Sequence, residues 1–183
     1  IRTLKEVDLI AAEDTRQTRK LLTHYEISTR IVSYHEHNKG ASGPELIRML
    51  ITGQSIALVS DAGLPAISDP GYDLVRLAIE AELPVVPIPG ANAALSALII
   101  SGLPTISFLF MGFLPRDRKS IHGRLDQVKR IQGSLLFYES PHRVAKSLQE
   151  MLECLGDRQI ALVREITKRY EEAVRGSITE CLE

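Results

Sequence analysis

The sequence predicts an α/β protein built from two α/β domains, because short apolar runs rich in β-branched residues alternate with helical patterns along the chain. Strands and helices in this order are typical of parallel βαβ units. The strand runs are almost continuously apolar, which indicates a sheet covered on both faces. The pattern changes after Phe113, where a basic segment begins, so we predict domains at residues 1–113 and 114–183.

Local signals place the elements of the first domain. Asp14 followed by Gln17 resembles the capping box of a helix. Pro44 fits the first turn of a helix, and Gly102 is suited to end one. In chain order we expect a short helix over residues 1–7, a strand over 8–12, a helix to about Tyr25, a strand over 30–34, a helix over 42–53, a strand over 55–59, a helix over 72–81, a strand over 84–88 and a helix over 91–101.

The second domain follows the same logic. Ser140 and Pro141 predict the start of a helix that Gly156 closes after Leu155. Its strands are expected at 134–138, at 159–163 and just before Gly176, and Ser177 with Glu180 predicts a further capping box.

Composition excludes few functions. The chain has 183 residues, 44% of them hydrophobic, which is enough for one large or two small cores. With 22 basic and 23 acidic residues the formal net charge is −1, so overall charge indicates no partner. Cys154 and Cys181 have no metal-ligand spacing and follow no signal peptide, which fits a reducing cytosol without disulfides.

Residues 83–115 carry no charged side chain. Prolines and glycines interrupt this segment, and its longest unbroken piece is too short, as a helix, to cross a ~30 Å hydrocarbon core. We therefore expect a fully buried strand, helix and strand in the middle of a soluble protein.

Residues 60–71 form the most informative loop, since they join a buried strand to a helix and contain two Gly, two Pro and two Asp residues. Loops at the carboxyl ends of strands are where open α/β sheets bind ligands. Gly63 lets a ligand approach the backbone, and the Asp61 carboxylate can accept hydrogen bonds from hydroxyl or amino groups. Asp61 can alternatively close an Asx turn. For Asp69 we favour a helix cap, with Pro70 at the first helical position.

Two other clusters have alternative interpretations. His35, Glu36 and His37 follow a strand and suggest a metal site, but no third ligand can be placed, so a polar loop is favoured. Residues 114–130 carry six basic and two acidic side chains, which fits either a polyanion-binding segment or a solvated helix face.

No dinucleotide fingerprint, phosphate-binding loop, Ser-His-Asp order or zinc motif is present. The sequence motifs instead resemble the ribosomal RNA small-subunit methyltransferases of the tetrapyrrole methylase superfamily. The resemblance rests on AAEDTR (11–16), HEHN (35–38), VSDAGLPAISDPG (59–71), PIPGA (87–91), GFLPR (112–116), FYESPHR (137–143) and REITK (164–168).

That resemblance implies a cytoplasmic, homodimeric enzyme that transfers a methyl group from S-adenosylmethionine to the ribose 2′-oxygen of a cytidine in 16S rRNA. It implies a fold with the cofactor in a cleft between the two domains. Members begin with a strand and a Gly-Asn-Leu turn ahead of Ile1 and continue past Glu183, so part of the cleft is expected to be missing here. The implied cofactor-binding residues are Asp61, Ala62, Gly63, Leu64, Asn92, Ala93, Tyr138 and Glu165.

The proton of the acceptor hydroxyl needs a base. We favour Glu139, with Glu13, Asp14 and His35 as the other candidates, and no metal is needed. Two alternatives stay open, methylation of a tetrapyrrole or other small molecule, and a non-catalytic RNA-binding assembly factor with the same fold. The candidate RNA-binding residues are Arg16, Arg116, Arg118, Lys119, His142 and Arg143.

Overall fold

The computed structural model describes residues 1–183 as two compact units, Ile1–Ala91 and Asn92–Glu183. The first unit holds a three-stranded parallel sheet in the order β2-β1-β3, with β1 at Leu9–Ala12, β2 at Arg30–Ser33 and β3 at Ile56–Val59. Its helices are α1 (Arg2–Glu6), α2 (Thr15–His24), α3 (Lys39–Ile51) and α4 (Tyr72–Glu80).

The strands of this sheet end level with one another, since Ala12 pairs in register with Ser33 on one side and with Val59 on the other. The central strand β1 is completely buried because alternate residues face two different cores. Leu9 and Ala11 pack with Leu46 and Leu74, whereas Ile10 packs with Leu22 on the opposite face. The predictions of parallel strands and of a sheet covered on both faces are therefore confirmed for this unit.

The second unit contains two separate strand pairs. A parallel pair joins β4 (Phe108–Phe113) to β5 (Ser134–Tyr138), and an antiparallel pair joins β6 (Gln159–Arg164) to β7 (Glu172–Ser177). Its helices are α5 (Ala93–Ser101), α6 (Arg118–Val128) and α7 (Val144–Leu155), followed by a single 3₁₀ turn at Glu180–Leu182. The core packs Leu125 of α6 and Leu148 of α7 against Ile178.

Helix α5 contacts β5, β6 and β7, and so belongs to the second unit together with β4. The sequence placed both elements before residue 114. The domain boundaries 1–113 and 114–183 stay a prediction for the whole protein.

Several local predictions are confirmed. Gly102 ends α5 as predicted, with a left-handed φ of 77°. The start of this helix is capped by Asn92, which accepts a hydrogen bond from Leu95 N–H at 2.9 Å and was not predicted as a cap. The capping box at Ser177 forms in both directions, with bonds of 2.7 Å and 3.2 Å to and from Glu180. Asp14 caps α2, although Gln17 does not complete a box because its oxygen accepts from Lys20 instead.

Two helix starts were predicted at the wrong residue. Helix α3 begins at Lys39 rather than near Ser42, because the Asn38 carbonyl already accepts hydrogen bonds from Ala41 and Ser42. Helix α7 begins at Val144 rather than Ser140, because the intervening residues form a separate turn.

The predicted strand over residues 84–88 is absent. Three prolines between positions 84 and 89 lack the N–H that a ladder needs, and no neighbouring strand pairs with this segment. Val86 and Ile99 are 74% and 76% exposed, so the prediction of a fully buried apolar segment is also wrong.

None of the helices combines the length and the apolar character that crossing a membrane requires.

Candidate functional site

Polar side chains gather where the three strands of the first unit end. Glu13 follows β1, His35 follows β2 by two residues, and the loop over residues 60–71 follows β3. Because the strand ends are level, these loops meet at one edge of the sheet. They border an open cavity of about 400 Å³, which we call the acidic cavity, lined by Glu13, His35, Glu36, His37, Ser68, Asp69 and Pro70.

Burial raises the pKa of the Glu13 carboxyl, and the nearby charges of Asp69, Asp61 and Asp14 raise it further. The only hydrogen bond to its side chain is a long one, 3.4 Å, from the Asp61 N–H. Glu13 therefore combines partial burial with unused acceptor capacity. Burial also raises the pKa of Asp69, and the nearby charge of Asp61 acts in the same direction.

The cap predicted for Asp69 is wrong, since the N-cap of α4 is Gly71 and no side chain caps this helix. Gly71 has φ 142°, and a Cβ there would lie 2.8 Å from Leu58 Cδ2. Asp69 instead lines the acidic cavity. Sequence reasoning missed Asp69 and Ser68 as cavity residues because the Asp-Pro-Gly pattern is equally typical of a helix start.

The loop is strained next to these residues. Ala66 and Ser68 adopt left-handed φ values of 67° and 62°, which only a well-determined surrounding structure maintains in non-glycine residues. Such strain concentrates at ligand-binding sites.

His35 is held by its backbone, whose N–H donates to Asn38 Oδ1 at 2.8 Å. The imidazole Nδ1 is buried and has no hydrogen-bond partner within the chain. Its ring lies 6.0 Å from that of His37, centroid to centroid.

Asp61, Ala62 and Gly63 are exposed, and Leu64 is half-buried. Within the chain the Asp61 carboxylate accepts no hydrogen bond, and the amides of the other three residues donate none. Gly63 adopts φ 76°, and the space beside its α-carbon is open to 3.9 Å. This arrangement offers one anionic acceptor and three backbone donors to a ligand.

The Asp14 carboxylate already has hydrogen-bond donors within the chain. It caps α2 and accepts two hydrogen bonds from the Arg16 guanidinium, which lower its pKa to about 2. A carboxylate with so low a pKa is a poor proton acceptor near neutral pH.

The second unit holds a larger and mainly apolar cavity of about 580 Å³. Three predicted residues, Ala93, Tyr138 and Glu139, line it. The Tyr138 ring packs edge-on against Phe110, with centroids 4.9 Å apart. The Asn92 side chain caps α5 by accepting a hydrogen bond from Leu95 N–H. Glu165 lies in the β6–β7 turn, where its carboxylate accepts a hydrogen bond from the Lys168 ammonium at 3.0 Å.

Glu139 is fully engaged within its own unit. One carboxylate oxygen accepts from Ser140 N–H at 2.8 Å, and the other accepts from Ser147 Oγ at 2.6 Å and lies 3.4 Å from Arg143. Its side chain is only 10% exposed. These contacts are typical of a residue that fixes a turn.

The candidate RNA-binding residues fall into two groups. Arg116, Lys119 and His142 are exposed and form no hydrogen bond within the chain. The remaining cations already have partners, Arg16 with Asp14, Arg118 with Glu150 and Glu153, and Arg143 with the carbonyls of Leu114 and Pro115.

The Arg118 contacts belong to a cluster that the sequence did not reveal. His122 Nε2 lies 2.5 Å from Glu150 Oε2, and Glu153 is within reach of both. The Arg118 guanidinium contacts both carboxylates and supplies the compensating positive charge. The cluster therefore ties α6 to α7.

A parallel sheet covered by helices defines an α/β protein, and the strand ends where the polar cavity lies are the usual position of ligand sites in this class. A sequence profile of the tetrapyrrole (corrin/porphyrin) methylases matches residues 1–182, so the chain belongs to this family.

Curated relatives agree with that assignment. The chain is 59% identical over 182 residues to the ribosomal RNA small subunit methyltransferase I of Halalkalibacterium halodurans, and 56% identical to that of Bacillus subtilis. All of the chain is covered, but it spans only 63% and 62% of the length of these relatives.

Among solved structures, a diphthine synthase matches 99% of this chain and 76% of its own, with a TM-score of 0.72 and 12% identity. A uroporphyrin-III C-methyltransferase from Thermus thermophilus, complexed with S-adenosyl homocysteine, matches 100% of this chain and 83% of its own. Its TM-score is 0.61 at 20% identity. At such identities these likenesses show the fold alone.

Proposed function

We propose that the protein is an S-adenosylmethionine-dependent methyltransferase that acts on the ribose 2′-oxygen of a cytidine in the 16S rRNA of the small ribosomal subunit. The observation that carries the proposal is the 59% identity, over the whole chain, to a ribosomal RNA small subunit methyltransferase I. From the family resemblance we further propose a cytoplasmic homodimer. The location of the cofactor between two domains also stays a prediction.

The residues after β3 fit a nucleoside cofactor. Asp61 presents a free carboxylate to the ribose hydroxyls, and the amides of Ala62, Gly63 and Leu64 are free to donate. When bound, S-adenosylmethionine supplies a methyl group that its sulfonium has already activated. The protein therefore mainly has to align the acceptor oxygen with that methyl group and exclude water.

The exposed cations of the second unit support an RNA substrate. Arg116 and Lys119 lie at the start of α6 without an acidic partner, as phosphate-binding side chains should. Arg118 contributes less than the sequence suggests, since two glutamates already neutralise it.

Methyl transfer with labelled S-adenosylmethionine tests the proposal. Small ribosomal subunits, free 16S rRNA and uroporphyrinogen III would be offered in parallel. We expect label in RNA, within a dinucleotide that survives alkaline hydrolysis, because a 2′-O-methyl group removes the nucleophile of RNA cleavage. Label in the tetrapyrrole alone, or cofactor binding without any transfer, would contradict the proposal.

A further inference from the structure

The acidic cavity has a composition unlike that of a phosphate site. Glu13, Glu36 and Asp69 supply carboxylates, His35 and His37 supply imidazoles, and no Lys or Arg lines it. The nearest cation on the next helix is Lys39, whose ammonium lies 2.7 Å from both Glu36 and Asp73 and is therefore neutralised. A phosphate entering this cavity would be repelled, whereas hydroxyl and amino groups would find acceptors.

The cavity also keeps hydrogen-bonding capacity that the fold does not use. His35 Nδ1 is buried without a partner. The Glu13 carboxylate accepts only the 3.4 Å bond from Asp61. Buried polar atoms are almost always satisfied in folded proteins, and an absent water or ligand is one explanation for an exception such as His35 Nδ1. At about 400 Å³ the cavity lies within the ~300–1,000 Å³ range of small-molecule sites.

We propose that the acidic cavity takes the ribose and base of the acceptor nucleotide, with its phosphates left outside, and that Glu13 accepts the proton of the reacting hydroxyl. This inference rests on the proposed methyltransferase function and names where the acceptor sits. Recognition of single nucleotides in folded RNA commonly requires the base to be splayed out of its stack, and an open cavity at a sheet edge is accessible to such a base.

The step balances without a further reactant. The ribose O–H bond breaks and its proton passes to the Glu13 carboxylate, while the oxygen forms a bond to the methyl carbon. The carbon–sulfur bond breaks with its electron pair kept by sulfur, so a neutral thioether leaves.

Glu13 is better suited to this step than the other carboxylates near strand ends. Glu139 has both oxygens bound to donors, and Asp14 is paired with Arg16. Burial and the charges of Asp69, Asp61 and Asp14 raise the pKa of Glu13, and a more basic carboxylate removes a proton more effectively. The other titratable groups facing it across the cavity are His35, Glu36 and His37.

The first test compares Glu13→Gln with the wild-type chain in single-turnover methyl transfer to small ribosomal subunits. The matched control is Glu45→Gln, which changes an exposed glutamate of α3 outside the cavity. With both substrates saturating, we expect the rate of Glu13→Gln to fall by roughly 10²–10⁴ while the control keeps the wild-type rate. The residual rate of Glu13→Gln should rise about tenfold per pH unit, as hydroxide replaces the carboxylate.

A wild-type rate in Glu13→Gln would overturn the inference and leave the methyltransferase function standing. No transfer by the wild-type chain would instead overturn the function. Glu13→Asp keeps the carboxylate, so a partial recovery of rate separates proton removal from a defect in folding. If the methyl-transfer rates of Glu13→Gln and Glu13→Asp depend on pH in the same way as the wild-type rate, Glu13 does not accept the proton.

A second test needs no turnover. Cytidine and cytidine 5′-monophosphate would be titrated separately against the protein, with the imidazole signals of His35 and His37 followed by NMR. We expect cytidine to shift both signals and the charged monophosphate to do so more weakly. Stronger shifts with the monophosphate, or shifts with S-adenosylmethionine alone, would overturn this assignment of the cavity whatever the methyl-transfer result.

Discussion

Ser147 Oγ donates a 2.6 Å hydrogen bond to Glu139 Oε2 and so links the end of β5 to the first turn of α7. Removing one partner of a hydrogen bond to a buried charge costs about 1.5–3 kcal/mol. We expect Ser147→Ala to lower the free energy of unfolding by about that amount, measured by urea denaturation. Ser28→Ala, at an exposed serine without a side-chain hydrogen bond, should have little effect.

The hydrogen bonds that Glu139 accepts from Ser140 and Ser147 also predict how Glu139→Gln affects the rate and the stability. Because the Glu139 carboxylate holds a turn, we expect less than a tenfold change in single-turnover methyl transfer, together with reduced stability. A fall of about 10²–10⁴ at saturating substrates, recovered in part by raising the pH, would identify Glu139 as the base instead.

Asp61 should contribute to cofactor affinity, because its exposed carboxylate has no partner within the chain. Asp61→Ala is expected to weaken S-adenosylmethionine binding by at least ~1.5 kcal/mol, measured by calorimetry, since hydrogen bonds to a charged group are lost. Glu45→Ala serves as the control. Unchanged affinity in a folded Asp61→Ala variant would remove this loop from the cofactor site.

Arg116 and Lys119 should account for most of the salt-dependent RNA affinity of this segment. Changing both to Ala is expected to reduce the log–log salt slope by about 1.4–1.8 units, because each phosphate contact contributes ~0.7–0.9. Adding Arg118→Ala should change the slope little, since Arg118 is already paired with Glu150 and Glu153. Binding assays at several salt concentrations measure the slope.

The corresponding control is Arg2→Ala with Lys5→Ala on α1, which removes two charges elsewhere. If this control lowers the slope as much as the α6 variant does, the α6 cations are not specific phosphate contacts.

The raised pKa of Glu13 predicts that the stability of the folded protein depends on pH. The pKa of Glu13 is higher in the folded protein than its ordinary value of 4.5, so the folded state binds this proton more tightly than the unfolded state does. The resulting contribution to the free energy of unfolding is complete below pH 4.5 and is lost as the pH rises through the folded pKa. Glu13→Gln should therefore be more stable than wild type near neutral pH, and this advantage should disappear in acid. Urea denaturation at pH 4 and pH 7 measures the difference, and an advantage that persists unchanged at pH 4 would contradict the raised pKa.

Much of the fold could be predicted from sequence because the deciding interactions are local. The caps at Gly102, Ser177 and Glu180 involve residues within a few positions of one another. The loop over residues 60–71 could also be identified, since Gly, Pro and Asp restrict the backbone wherever the rest of the chain lies.

Which residues share the candidate site was decided only by the tertiary structure. Residues 84–88 contain three β-branched residues yet form no strand, since their prolines lack ladder donors and no neighbouring strand pairs with them. Glu13 and Glu139 both follow strands, yet one is left with free acceptor capacity and the other is bound by Ser140 and Ser147. The sequence by itself determined that carboxylates stand at strand ends, whereas long-range packing decided which of them can still receive a proton.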